Sequence, residues 1–168
     1  MKKYIDFDGV IMDTYMPLFE DYLAKKAKGI YVDDTEHVIN KNWQEVLDNS
    51  LVIEDAITII KELNPENTAI LTRIHSLENE GVAKIKFLRE IGIKCNIILV
   101  PYPVKKTDIV LAKDNILVDD AIFNLDEWYS AGGIPIFFDT YKNNIDGWGV
   151  ENKKYIKTRT LKILKKYE

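Results

Sequence analysis

Two carboxylates separated by one residue stand at the start of the chain, in Lys3-Tyr4-Ile5-Asp6-Phe7-Asp8-Gly9-Val10. An apolar, β-prone run carries them and a glycine follows at once. In a strand, Ile5 and Phe7 would point one way and Asp6 and Asp8 the other. Past the strand's end the chain leaves the ladder, so both carboxylates can converge on one point. Paired carboxylates repel, which favours a hard cation between them. A carboxylate in that setting can also act as a nucleophile. The plain alternative is a strand that ends in a polar turn.

The remainder of the chain bears on that choice. Asn115-Ile116-Leu117-Val118-Asp119-Asp120 is a second apolar run that stops at adjacent carboxylates. Thr68-Ala69-Ile70-Leu71-Thr72-Arg73 ends in a hydroxyl and a cation. Asn96-Ile97-Ile98-Leu99-Val100 leads through Pro101 and Pro103 to Lys105-Lys106-Thr107. Each chemical group therefore stands near the carboxyl end of a strand, where open α/β sheets form their sites. A cation, a carboxylate nucleophile, a hydroxyl and a lysine together suit a phosphoryl group.

In this order the motifs Asp6-Phe7-Asp8-Gly9-Val10, Leu71-Thr72, Lys106 and Val118-Asp119-Asp120 resemble the haloacid dehalogenase-like (HAD) hydrolase superfamily, over roughly Lys3 to Phe138. Within it the chain looks most like the 5′-nucleotidase and 5′(3′)-deoxyribonucleotidase group. The resemblance implies that Asp6 is the nucleophile, forming an aspartyl-phosphate. It implies that Asp8 is general acid and then base, with its backbone carbonyl on the metal. Mg²⁺ is the implied ion, held by Asp6, Asp8 and Asp120, with Asp119 direct or through water. Thr72 would donate to a phosphate oxygen, and Lys106 would neutralise phosphate and Asp6 charge. Lys105, next in the chain, is an alternative to Lys106. Arg73 is a further candidate for substrate contact. His75 could lie at the rim, and neither it nor His37 has zinc-site spacing.

These groups need elements to position them. Strands are expected at Lys3–Phe7, Thr68–Leu71, Asn96–Val100, Ile116–Val118 and Ile134–Phe138. Helical periods lie between them, with Pro65, Gly92 and Gly132-Gly133 as stops. The segment from Asn152 to Tyr167 reads as a C-terminal helix, after a loop holding Gly147 and Gly149. Alternating strands and helices argue an α/β three-layer sandwich around a mostly parallel five-stranded sheet, Rossmann-like by resemblance. The chain is expected to be one domain, 1–168, with a small helical insertion at about 14–50 where the family carries a cap. Tyr15, Phe19, Tyr31 and Trp43 fall in or beside that cap and could stack on a nucleobase, Phe19 and Trp43 foremost. Packing of cap on core would use the same rings. Tyr102 and Trp148 could line the mouth.

Composition bounds the partners. The chain has 168 residues, 46% hydrophobic and 30% charged, with a net charge of −4. That suits a globular chain with a real core and argues against a polymeric nucleic-acid partner. Cys95 is the single cysteine, so no intrachain disulfide can form, and a reducing cytoplasm is the expected compartment. No run is apolar enough to cross a membrane, and no cleaved leader is expected before the motif strand. The expected activity is a Mg²⁺-dependent phosphomonoesterase acting on a small phosphorylated metabolite, foremost a nucleoside monophosphate. A sugar-phosphate phosphatase, or a non-catalytic binding module of the same fold, are the rivals.

Overall fold

The computed structural model describes residues 1–139 and 154–168. The Gly147–Gly149 loop and Trp148 lie outside them. Six strands form one sheet in which every pairing is parallel. They are β1 (Lys3–Ile5), β4 (Thr68–Ile74), β5 (Asn96–Pro101), β6 (Ile116–Asp119), β7 (Ile134–Phe138) and β8 (Ile156–Thr158), in the order β5-β4-β1-β6-β7-β8. Central parallel strands are covered on both faces, so they read as unbroken apolar runs rather than alternating ones. Ile-Leu-Val of β6 and Pro-Ile-Phe-Phe of β7 are accordingly buried along their length.

Two apolar clusters fill the two faces. One packs Ile5, Ile70 and Val118 against α4 (Ala56–Glu62) and α5 (Val82–Glu90). The other packs Tyr4, Leu71 and Leu117 against Leu125 and Trp128 of α7 (Ile122–Ser130). Helix, sheet, helix is the expected three-layer α/β sandwich, with one more strand than expected. The sixth comes from the segment expected to be helix, which instead gives β8 and a 3₁₀ helix at Leu161–Tyr167. The buried residues there, Leu161 and Leu164, are three apart, and side chains at that spacing eclipse on a 3₁₀ helix. Other boundaries move too. The β1 ladder stops at Ile5, two residues short of Phe7, whereas β4 runs three residues past Leu71 to Ile74.

After β1 the chain makes a short strand β2 (Met12–Asp13) and then three helices. These are α1 (Tyr15–Ala27), α2 (Asp34–Ile39) and α3 (Trp43–Asp48). It returns through β3 (Leu51–Val52), antiparallel to β2, so the excursion leaves and re-enters at one place. Asp33 and Asn42 cap α2 and α3 by accepting from Glu36 N–H and Glu45 N–H. Asn79, in a single π turn (Leu77–Gly81) ahead of α5, ties the excursion to the core. Its amide donates to Ile39 and Lys41 carbonyls, and its oxygen accepts from Trp43 N–H.

Trp43 is buried in the first cluster at 1% exposure, with its indole N–H on the Val38 carbonyl, 3.1 Å away. Its ring is therefore a core side chain. Trp43→Ala should lower unfolding free energy by about 3–5 kcal/mol, read by urea denaturation. A loss under about 1 kcal/mol, within the range of ordinary surface changes, would contradict that placement.

Candidate active site

β1 lies between β4 and β6, and its register pairs Ile5 with Ile70 on one side and Val118 on the other. Asp6, one residue on, donates its N–H to Val118 O at 2.9 Å and stands beside Asp119, the last residue of β6. The Asp6, Asp119 and Asp120 carboxylates each bring an oxygen within 4.8 Å of the others, and all three residues are buried. The Phe7 carbonyl then accepts from the N–H groups of Val10, Ile11 and Met12, which folds the chain into a tight loop. Gly9 sits in that loop at φ +74°, and a Cβ there would lie 2.1 Å from Asp120 Oδ2. The glycine is needed both for its backbone and for the room it leaves the carboxylate.

The two lysines that matter rise from opposite sides of the sheet. Lys106 opens α6 (Lys106–Ile109) and is 1% exposed. Its Nζ donates to Asp6 Oδ1 at 2.8 Å and to Asp119 Oδ2 at 2.6 Å. Burial alone would lower its pKa. Asp119 and then Asp6 more than offset this and hold the ammonium above its ordinary value. Burial pushes the Asp6 carboxyl up to about 6. Lys106 opposes that rise, while the Asp119 and Asp8 charges add to it. Lys105, the alternative, is exposed, with its Nζ 3.6 Å from Glu127.

Asp8 does not join the acidic cluster. The loop through Gly9 turns its carboxylate to other partners. Oδ1 accepts from the Thr14 hydroxyl at 2.8 Å, and Oδ2 from Lys84 Nζ at 2.5 Å. The convergence of both Asp-x-Asp carboxylates on one point is thus replaced by two separate stations. Lys84, on α5, is fully buried and also donates to Glu80 Oε1 at 2.6 Å. Thr72 Oγ1 and the Arg73 carbonyl lie 3.3 Å from the same nitrogen. Burial would lower the Lys84 pKa, but Asp8 and Glu80 outweigh it and raise the value. Glu80 is itself fixed by the His75 N–H, 2.7 Å from Oε2.

Thr72 is buried beside Lys84. Arg73 lays its guanidinium over the Phe123 ring, 5.4 Å from the centroid, and its buried Nε has no hydrogen-bond partner. Phe19 and Trp43 part company. Phe19 lines a cavity of about 440 Å³ that Tyr15, Tyr22 and Val38 share with His75 and Tyr102 from beyond β4 and β5. Trp43 lies in the core beneath.

Lys84, Glu80, Thr14 and Asn124 had no place in the sequence reading. Asn124 Nδ2 donates to Asp119 Oδ2 at 3.0 Å, and Ala121 N–H to Oδ1 at 2.8 Å. A signal for Lys84 did exist. Gly81, Lys84, Leu88 and Ile91 share the core-facing stripe of one helical period, so a lysine there must be buried and paired.

Hard oxygen donors gathered at one point suit Mg²⁺. Asp119 already accepts three hydrogen bonds, out of roughly four lone-pair positions on a carboxylate.

No protein-family model matches this chain, and no curated protein matches it in sequence. Solved structures do match its fold, and several of them are described as HAD-superfamily hydrolases. A subfamily IA hydrolase from Geobacter sulfurreducens aligns over 100% of both chains, with TM-score 0.66 and 12% identity. A HAD-hydrolase from Bacillus subtilis, described as bound to magnesium, aligns over 99% of this chain and 97% of its own, with TM-score 0.61 and 15% identity. A D,D-heptose 1,7-bisphosphate phosphatase from Burkholderia thailandensis aligns over 95% and 92%, with TM-score 0.55 and 15% identity. The chain thus has the fold of the HAD hydrolases.

Gly9→Ala should displace Asp120 while leaving the sheet intact. Mg²⁺ affinity by isothermal titration calorimetry should fall about ten- to a hundredfold, as when a group supporting a ligand is disturbed. Unchanged affinity with native circular dichroism would remove Asp120 from the ligand set.

Proposed function

We propose that this protein is a Mg²⁺-dependent phosphomonoesterase that works through an aspartyl-phosphate on Asp6, with a nucleoside monophosphate as substrate. The observation that supports the reaction is the separation of the two aspartates. Asp6 is held by Lys106 within the acidic cluster, and Asp8 stands apart on Thr14 and Lys84. Mg²⁺, when bound, would be held by Asp6, Asp120 and the Asp8 carbonyl, and would offset the repulsion between carboxylate and phosphate. Asp6 attacks phosphorus, an Asp6–phosphorus bond forms and the ester bond to the leaving oxygen breaks. Asp8 gives its proton to that oxygen. Asp8 then takes a proton from the water that attacks the aspartyl-phosphate, which frees Asp6 and inorganic phosphate. Lys106 stays on Asp6 as a fixed positive charge, and Thr72 donates to a phosphate oxygen.

The excursion of α1 to α3 serves in this reading as a small cap. The cavity between it and the ends of β4 and β5 is lined by flat rings, Tyr15, Phe19, Tyr22 and Tyr102 among them, which favours a nucleobase. A sugar phosphate is the second reading. The same cavity carries Lys26, Asp34 and Thr35, which suit hydroxyl groups, and one fold neighbour is by name a heptose bisphosphate phosphatase.

Chelation should abolish phosphate release, and added Mg²⁺ should restore it. Asp6→Asn, isosteric, should lower kcat by several orders of magnitude, on the order of losing a nucleophile elsewhere. Near-normal turnover by that variant would overturn the assignment of Asp6.

Stacking is worth roughly 1–3 kcal/mol per base, or about tenfold to somewhat over a hundredfold in affinity. Phe19→Ala should therefore reduce kcat/KM for a nucleoside monophosphate by about tenfold or more, with hydrolysis of a small generic phosphate ester unchanged. Equal kcat/KM for ribose phosphate and every nucleotide tested in the native protein would transfer the assignment to sugar phosphates.

A further inference from the structure

Lys84 is the most heavily engaged side chain in the site that a phosphoryl group would not need to touch. It is fully buried and lies over two aromatic faces, with Nζ 4.8 Å from the Trp43 ring centroid and 5.3 Å from that of Phe7. A lysine so placed costs stability unless it is paired. An apolar residue would fill the same stripe of α5 without that cost. The pairing itself is asymmetric. Glu80, one turn earlier on the same side of the structure, already supplies a counter-charge at 2.6 Å. The second carboxylate is Asp8, 76 residues away in sequence. With Thr14 on one Asp8 oxygen and Lys84 on the other, the carboxylate is held at both ends.

We infer that Lys84 is a positioning residue that aims the Asp8 carboxylate at the leaving-group oxygen. The inference rests on the phosphomonoesterase reading of Asp6 and Asp8. Its consequence is selective. An aryl oxygen that leaves readily as an anion needs little help from Asp8, whereas an alkoxide needs its proton as the ester bond breaks. A misaimed Asp8 therefore penalises alkyl esters far more than activated aryl esters. Lys84 also reaches Thr72 Oγ1 at 3.3 Å, but a disturbance there acts on the phosphoryl group common to all esters and cancels between them, whereas loss of the aiming contact on Asp8 acts on the leaving group.

The test compares p-nitrophenyl phosphate with benzyl phosphate, which are similar in size and differ in leaving group. The Mg²⁺-loaded full chain is measured as native protein, as Lys84→Met and as Lys84→Met with Glu80→Gln. Methionine keeps the cover over the Trp43 and Phe7 rings. The double variant removes the counter-charge that the single one would strand, and the amide oxygen introduced by Glu80→Gln would still accept from His75 N–H. The readout is kcat/KM for the aryl ester divided by that for the benzyl ester. This ratio is independent of how much of a preparation is folded. In the variants it should rise about ten- to a hundredfold over native, the scale of a displaced acid. An unchanged ratio, with both rates equal to native or lowered together, would make Lys84 a packing residue and overturn the inference. Native protein inert toward both esters would overturn the phosphomonoesterase reading itself, and the inference with it.

Discussion

Carboxylates confined together in a buried place repel one another, and the rest of this structure is arranged around that repulsion. Asp6, Asp119 and Asp120 meet because β1 and β6 are parallel neighbours in register, which puts the residues after Ile5 and Val118 side by side. Taking such groups out of water costs several kcal/mol per ion even after relaxation. Lys106 offsets part of this by bridging two of them, and the raised pKa of Asp6 shows the part that remains. Only a rigid frame can hold groups that push apart, and a six-stranded sheet packed on both faces supplies one.

The same constraint explains why the Asp-x-Asp carboxylates separate. A fourth carboxylate in the cluster would add to the strain. The loop at Gly9 instead carries Asp8 to its own cation, Lys84, which is shared with Glu80. Asp6 and Asp8 thus pair with different ammonium groups, reached from opposite layers of the sandwich. In the proposed reaction this keeps the nucleophile apart from the acid and base, although only Phe7 lies between them in sequence.

The helices α1 to α3 are bound to this frame through buried side chains, Leu18, Val38, Val46 and Leu47 among them, and at three fixed places. The β2–β3 pair closes the base, Asn79 holds the α2–α3 corner and Trp43 plugs the core. α1 is left to form a wall of the cavity opposite His75 and Tyr102, whose rings stack at 4.9 Å. The His75 backbone also fixes Glu80, so the cavity wall and the Asp8 station share one short stretch after β4.

The chemical groups and the strands that end in them were legible in the sequence, because apolar runs that stop at Asp or Thr mark where buried strands end. Parallel strands with helices between them followed from the same pattern, as did the placement of Asp6, Asp119 and Asp120 at one edge. Tertiary structure decided what depends on partners distant in the chain. The stripe of α5 marks Lys84 as buried, but that its partner is Asp8 was decided by the fold. Trp43 and Phe19 were equivalent rings in one insertion. The packing of α3 against α5 sent Trp43 inward and left Phe19 on the cavity. The choice between Lys105 and Lys106 turned on which one, at the start of α6, points under the sheet edge toward Asp6. The segment after residue 153 became strand and 3₁₀ helix because β7 offered it an edge to pair with. Local pattern encodes which side chains must be buried. Which cation meets which carboxylate is set only when the sheet order brings them within about 3 Å, the reach of a hydrogen bond.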